Sequence, residues 1–276
     1  YKRQDGDFTP ALNFLRDANK TQRSQLYASD HILIAGWAGL DKEVVSQYED
    51  SRTFLKPNAD VLATVARAYR NLQQWPQALA TYTQVLRLRP SDNGALVGRV
   101  MTLADSGKQA EAARQAQSLV AKQPQNVGRR LALAYAYMRS QQPYSALQEM
   151  AEARRLAPEN SSVKREYLLA LQRAGLNSKA LKLAEQTPGL LNDHELRTLQ
   201  RSRVADYVRM SDLPTAKENE RFKLADKALS EADKLLAAWA PIAQAKEDAK
   251  ALRIDRIGAL YSRSYMQQVL DEYAYF

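Results

Sequence analysis

Cysteine is absent, so disulfides and thiolate metal sites are excluded, and a structural zinc site would have to be assembled from carboxylates and the two histidines. Glycine and proline are scarce, at ten each in 276 residues. Ala, Leu, Gln, Arg and Lys dominate instead, and these side chains lose little freedom in a helix. The composition therefore predicts an all-α chain. No apolar run approaches the roughly 18 residues that span a bilayer as a helix, and the alternating segments of about ten residues that mark a membrane barrel are also missing. With 45% apolar and 26% charged residues, the chain can build one large or two small packed domains. It starts at Tyr1 rather than Met, with no basic-then-apolar leader, and the run from Tyr265 to Phe276 reads as an amphipathic helix without a capping signal. Both features lead to the expectation of a piece excised from a longer chain.

Groups that could carry chemistry are equally sparse. His31 and His194 show no H-x-x-x-H or H-E-x-x-H spacing and read as helix-surface or interface histidines. Gly36 and Gly39 are not followed by the Lys-Ser/Thr of a phosphate loop. The carboxylate pairs Glu218 with Glu220 and Glu247 with Asp248 lie in polar runs and read as solvated helix faces. No catalytic residue, metal ligand or cofactor is assigned, and a binding module is expected rather than an enzyme.

What the chain does contain is a repeat. Pro57, Pro90, Pro124 and Pro158 follow one another at an almost constant interval of about 34 residues, the tetratricopeptide period. Proline lacks an N–H and disfavours helix at the residue before it, so each one closes a helix and leaves room for two helices of about 14 residues before the next. Counting back from each proline, a small residue recurs where the second helix of a hairpin must approach the first, at Ala78, Ala112, Ala146 and Ala180. The matching column on the first helix holds Ala66, Val100, Ala134 and Leu168, and three residues later Tyr69, Leu103, Tyr137 and Leu171. The unit from Leu26 to Pro57 fits less well, with Leu33 and Val45 in the two packing columns. Beyond about residue 190 the period is lost but helices continue, over Asn192 to Met210, Ala216 to Ala240 and Ala249 to Ser262. Leu252, Ile257 and Leu260, with Ala249 and Gly258, suit close packing in the last of these. The expected architecture is a tetratricopeptide-repeat superhelix, a solenoid of antiparallel helical hairpins. Its expected parts are degenerate hairpins over 1–58, regular repeats over 59–190, and an irregular continuation over 191–276 that is truncated at its C-terminus.

The net charge of +9 is uneven. Residues 1–58 carry 8 basic and 8 acidic side chains and residues 191–276 carry 14 of each, so the whole excess, 18 basic against 9 acidic, falls on 59–190. Such a stretch attracts an acidic partner with an affinity that falls as salt rises. The same excess also fits ordinary solvated helix faces. The repeat register aims Arg67, Arg70, Met101, Tyr135, Met138, Arg139, Arg165 and Arg173 at the inner groove, a mix of guanidinium, apolar and aromatic surface suited to a peptide or a sugar-bearing ligand. Core packing is the alternative for Tyr135 and Met138. Trp37, Trp75 and Trp239 fall near helix ends, where an indole plugs a corner or presents a flat face to a sugar ring. A basic patch without a zinc-finger, RNP-type or helix-turn-helix signature does not point to nucleic acid.

Several strings are more specific than the repeat. They are Ala35-Gly36-Trp37-Ala38-Gly39-Leu40-Asp41-Lys42-Glu43-Val44, Ala68-Tyr69-Arg70-Asn71-Leu72-Gln73-Gln74-Trp75 and Met101-Thr102-Leu103-Ala104-Asp105-Ser106-Gly107. Two more follow in the irregular part, Glu220-Arg221-Phe222-Lys223-Leu224-Ala225-Asp226-Lys227-Ala228-Leu229 and Arg253-Ile254-Asp255-Arg256-Ile257-Gly258-Ala259-Leu260. Together they make the chain resemble the periplasmic helical-repeat region of outer-membrane exporters of poly-N-acetylglucosamine, the biofilm exopolysaccharide. The resemblance implies a Gram-negative periplasmic location ahead of a C-terminal outer-membrane β-barrel absent from this chain. It also implies a polysaccharide N-deacetylase lipoprotein and the poly-N-acetylglucosamine chain as partners. Deacetylated glucosamine units are cationic, and the basic repeats 59–190 would repel them. Those repeats are therefore expected to meet an acidic protein surface, with polymer contact elsewhere, for instance after residue 190. A direct carbohydrate-binding repeat domain and a generic peptide-binding tetratricopeptide assembly protein are the alternatives.

Overall fold

The computed structural model describes residues 7–215 and 217–276, so Tyr1 and Ala216, named above, lie outside the described residues. Every regular element among the described residues is helical, and the chain divides into two compact units, 1–156 and 157–276. The first unit holds α1 (Thr9–Thr21), α2 (Gln25–Trp37), α3 (Asp41–Ser51), α4 (Ala59–Asn71), α5 (Trp75–Leu88), α6 (Asn93–Asp105), α7 (Gln109–Lys122), α8 (Val127–Arg139) and α9 (Pro143–Leu156). The second holds α10 (Ser161–Arg173), α11 (Asn177–Glu185), α12 (Asp193–Ser211), α13 (Glu218–Trp239), α14 (Lys246–Ser262) and α15 (Met266–Tyr273). From α2 to α11 the helices alternate as first and second members of hairpins, and the first members α2, α4, α6, α8 and α10 are each 13 residues long.

Two local devices set this rhythm. Ser24, Asn58, Asp92, Asn126 and Asn160 cap the first helix of each hairpin, accepting a backbone N–H with the side-chain oxygen, and they recur once per repeat at a constant interval. Such a cap satisfies donors that the first turn leaves unpaired and contributes about 1 kcal/mol. Each hairpin then turns on one residue in the left-handed region, at the same constant interval: Gly39, Gln73, Gly107, Gln141 and Gly175, with φ between 56° and 86°. The residue after each of these donates its N–H to a carbonyl near the end of the first helix, as Gln74 to Tyr69 at 2.8 Å and Gln142 to Tyr137 at 2.9 Å. This is a Schellman closure, which ends the helix and reverses the chain.

The packing columns follow. Ala78, Ala112, Ala146 and Ala180 are each the fourth residue of a second helix and are fully buried. Ala66, Val100, Ala134 and Leu168 are each the eighth residue of a first helix and are also buried. The first hairpin corrects the sequence register by one residue. Its fully buried column residues are Ile32 and Val44, while Leu33 and Val45 are only partly buried against the same cluster. The reason is local, because α3 is 11 residues long where α5 has 14, and an irregular turn before Pro57 shifts any count made backwards from that proline. The cap at Ser24 keeps the common phase.

The N-terminal helices are joined by a polar cluster. His31 is buried on α2, with Nε2 2.6 Å from Glu43 Oε1 and Nδ1 3.2 Å from the Asn19 amide nitrogen. Arg16 of α1 holds the same carboxylate of α3 with two N–H donors, at 2.8 and 2.7 Å. The guanidinium holds the Glu43 carboxyl below its usual range, burial opposes it, and the His31 contact adds to the lowering. In the second unit Asn192 opens α12 with a reciprocal capping box to Glu195. Val204, Ala228, Ala232, Trp239, Leu252 and Ala259 form a core shared by α12, α13 and α14. Gly258 faces Val208 so closely that an added Cβ would lie 2.9 Å from its Cγ1, the close packing expected of α14. All three tryptophans stand at helix ends, Trp37 and Trp239 closing α2 and α13 and Trp75 opening α5.

Both the turns and the N-terminal cluster can be tested by stability measurements. Gln141 occupies a left-handed position where a Cβ is penalised, so Gln141→Gly is expected to raise unfolding free energy by about 0.5–1 kcal/mol, after the larger entropy of the unfolded glycine chain is set against the relief. A urea midpoint that falls would refute the turn assignment. Because the folded-state pKa of Glu43 is depressed, its contribution is present above the ordinary carboxylate range and is lost as pH falls through the depressed value. Stability should therefore drop below about pH 4.3 less steeply in Glu43→Gln than in the wild type. Parallel acid-denaturation curves would contradict this.

Candidate functional site: an arginine and carboxylate cluster on the repeat face

Within the first unit, α4, α6 and α8 are first helices of consecutive hairpins and lie side by side. The cluster on them is built by the repeat itself, because Asn71, Asp105 and Arg139 share one phase of successive repeats and close these three helices. Asp105 is the centre. Arg70 of α4 donates Nε and Nη2 to Asp105 Oδ2 at 3.0 and 2.8 Å. The Tyr135 hydroxyl of α8 donates to Oδ1 at 2.5 Å, and Arg139 Nε stands 3.4 Å from the same oxygen. Arg70 also lies against the Tyr135 ring, 5.8 Å from guanidinium carbon to centroid, within cation–π range. Burial raises the Tyr135 pKa first, and the Asp105 carboxylate that accepts its hydrogen bond raises it further.

The side chains of Asp105 and Arg70 are mostly shielded, at 11% and 20% exposure, whereas Arg139 is 48% exposed. One carboxylate thus ties the first helices of three hairpins together, and Arg139 remains the guanidinium that water and a partner can reach. Arg70, Asp105 and Arg139 line a cleft of about 470 Å³ together with Asn71, Gln73 and Trp75. The Asn71 amide donates to Asp41 at 3.0 Å, Gln73 is the left-handed turn residue, and Trp75 is half-buried at the start of α5. The cleft therefore offers amide and guanidinium donors, a carboxylate and one indole. That set suits a ligand rich in hydroxyl and amide groups.

Of the eight side chains aimed at the groove by the repeat register, Arg70, Tyr135 and Arg139 come together here. Arg67 is exposed on α4 and donates Nη2 to the Gly36 carbonyl of α2 at 2.9 Å, which makes it a brace between neighbouring hairpins. Met101 and Met138 are half-buried on α6 and α8. Arg165 and Arg173 belong to the second unit. Arg165 donates to the Leu190 carbonyl at 2.7 Å and pairs with Glu195, while Arg173 is exposed in the last turn of α10. Sequence reasoning missed Asp105, Asn71 and Gln73 as members of the cluster. The signal was available, since Asp105 is the acidic member of a column whose next residues are Arg139 and Arg173.

No protein-family model matches the chain. Over 271 residues, 97% of its length, it is 32% identical to the poly-beta-1,6-N-acetyl-D-glucosamine export protein of Escherichia coli strain K12, and equally to that of Escherichia coli O157:H7. It spans about a third of the length of these curated relatives. A solved tetratricopeptide repeat protein from Parabacteroides merdae superposes with a TM-score of 0.59 at 16% identity, over 90% of this chain and 93% of that one. The tetratricopeptide fold and the resemblance to the export protein, both expected from sequence, are thereby shown, and the similarity runs through the irregular helices as well as the repeats.

The two arginines on Asp105 should differ in worth. Arg70→Ala removes a shielded two-donor partner and is expected to cost about 1–3 kcal/mol of unfolding free energy. Arg139→Ala removes a half-exposed, longer ion pair and should cost less than about 1 kcal/mol. Equal losses in urea denaturation would count against Asp105 as a strut centred on Arg70.

Proposed function

We propose that this chain is a repeat scaffold of a poly-N-acetylglucosamine export system, working in the periplasm ahead of an outer-membrane barrel. In this role it docks the polysaccharide N-deacetylase and guides the polymer towards export. The observation that carries the reading is the 32% identity to the export protein over 97% of the chain, because likeness due to generic repeats alone would stop where the period stops, near residue 190. No helix among the described residues is long and apolar enough to cross a membrane.

The docking residues in this reading are Arg67, Arg70, Met101, Tyr135, Met138 and Arg139 on the first unit and, taken separately, Arg165 and Arg173 on the second. Arg139 and Arg173 occupy one repeat column and are both exposed. An acidic protein surface complements them. Direct carbohydrate binding is a second reading, favoured by the cleft in which Asn71, Gln73 and the Trp75 indole gather around Arg139. An acetylated amino sugar is neutral, so it can meet amide and guanidinium donors there without the repulsion that a deacetylated unit suffers.

Calorimetric titration of the chain with the deacetylase, with acetylated oligosaccharide and with partly deacetylated oligosaccharide separates these readings. The docking reading expects salt-sensitive binding of the deacetylase that weakens at least about tenfold in Arg139→Glu/Arg173→Glu, by loss of accessible charge. Failure of the deacetylase to bind would sink it. Saturable binding of acetylated oligosaccharide that is lost in Trp75→Ala and retained in Arg173→Glu would select direct carbohydrate binding.

A further inference from the structure

The second unit carries a cationic groove that its balanced composition conceals. The groove, of about 700 Å³, runs between α12 and α13, with Lys223, Lys227, Ser230 and Lys234 of α13 along it and Tyr207 of α12 and Leu235 at its apolar side; Arg203, Asp226 and Glu231 complete the lining, leaving four cations against two carboxylates. Positions 223, 227, 230 and 234 recur at i, i+4, i+7 and i+11, so they form one straight stripe along the helix. All three lysines are exposed, and among the described residues none of them has an ion-pair partner.

The carboxylates that would neutralise the stripe are already held by arginines. Arg203 Nε donates to Glu231 at 2.5 Å, and Arg256 Nε donates to Asp233 at 2.7 Å. Arg263 Nε lies 2.9 Å from Asp226, close enough for an ion pair although not aligned for a hydrogen bond. The remaining acids of α13, Glu218 and Glu220, sit in its first turn, outside the groove lining. The planar guanidinium competes well for carboxylates through several donors in fixed geometry, whereas an ammonium on a flexible stem is left in water.

We propose that this groove receives an acidic amphipathic helix of a partner protein. Lys223 to Lys234 spans about 16 Å of helix axis, so a facing helix with carboxylates at i, i+4 and i+11 meets all three ammonium groups in register. The apolar side of the same helix then covers Tyr207 and Leu235. The presence of an apolar wall beside cations set at the helical pitch favours a polypeptide over an anionic polysaccharide, whose charge repeat bears no relation to that pitch. This surface is independent of the export reading, and it adds a second site for an acidic partner beyond residues 59–190.

The test uses the whole chain and a fluorescein-labelled synthetic helix of about 20 residues, long enough to cover the stripe. The peptide carries Glu at i, i+4 and i+11 and Leu along the adjoining face. A Gln-for-Glu version serves as control, and an oligouronate represents the polysaccharide class. In fluorescence anisotropy at low salt, the acidic helix is expected to bind at least tenfold more tightly than its Gln control. Lys223→Gln/Lys227→Gln/Lys234→Gln should weaken it at least tenfold, while Lys108→Gln/Lys122→Gln/Lys182→Gln leaves it within twofold. Circular dichroism melts that coincide with wild type show that the variants fold. Leu235→Ser should also weaken the acidic helix and leave oligouronate unaffected. The proposal is overturned if the Gln control binds as well, if the groove variant binds within twofold of wild type, or if oligouronate competes with equal affinity and the same lysine dependence.

Discussion

Each hairpin from α2 to α11 depends on a chain reversal made by one residue in the left-handed conformation, followed early in the next helix by a side chain small enough to let the two helices meet. Where the turn is Gly39, Gly107 or Gly175 the conformation comes without a Cβ penalty, and where it is Gln73 or Gln141 the surrounding closure enforces it. The next column is Val44, Ala78, Ala112, Ala146 and Ala180, all fully buried. Enlarging one of these alanines to leucine would cost about 1–3 kcal/mol through overpacking. With the turn and the small residue fixed, the five caps from Ser24 to Asn160 fall into place at the same interval, and in the first unit the ends of α4, α6 and α8 are brought to one face.

That placement decides what the charges do. Arg70, Arg129 and Arg130 in the first unit and Arg197, Arg203 and Arg256 in the second all reach polar groups on other helices, such as Asp105, Asn93, Glu149, Asp248, Glu231 and Asp233. Arginine is thus used largely as a strut. The surface that remains for partners is set by what stays exposed, including Arg139 and Arg173 at the ends of α8 and α10 and the lysine stripe of α13. A region of equal formal charge can present a cationic groove for this reason, and a basic region can present less free charge than its composition suggests.

The hairpin architecture was legible in the sequence because proline and alanine mark it by sterics that act locally. Counting from Pro57 gave Leu33 and Val45 in place of Ile32 and Val44, since proline reports the end of a loop and the length of that loop varies. The caps and the left-handed residues keep a stricter interval, but Ser, Asn and Asp share one role in the first column and Gln replaces Gly twice in the second, which hides both from a search for identical residues. The cluster at Asp105 was half legible. Register put Arg70, Tyr135 and Arg139 on one face, yet their pairing with a carboxylate of another hairpin depends on how adjacent hairpins lie side by side. The stripe on α13 is visible as helical spacing, whereas its freedom from partners depends on Arg203 and Arg263, which lie outside that helix.

Arginine serving as an inter-hairpin strut rather than as free docking charge is the central claim, and Arg70 with Asp105 is the pair that tests it. A double-mutant cycle of Arg70→Ala and Asp105→Ala, read by urea unfolding, isolates their interaction from the separate effects of each truncation. The predicted coupling is at least about 1 kcal/mol in favour of the intact pair. Additive losses, within about 0.3 kcal/mol of the sum, would contradict the account.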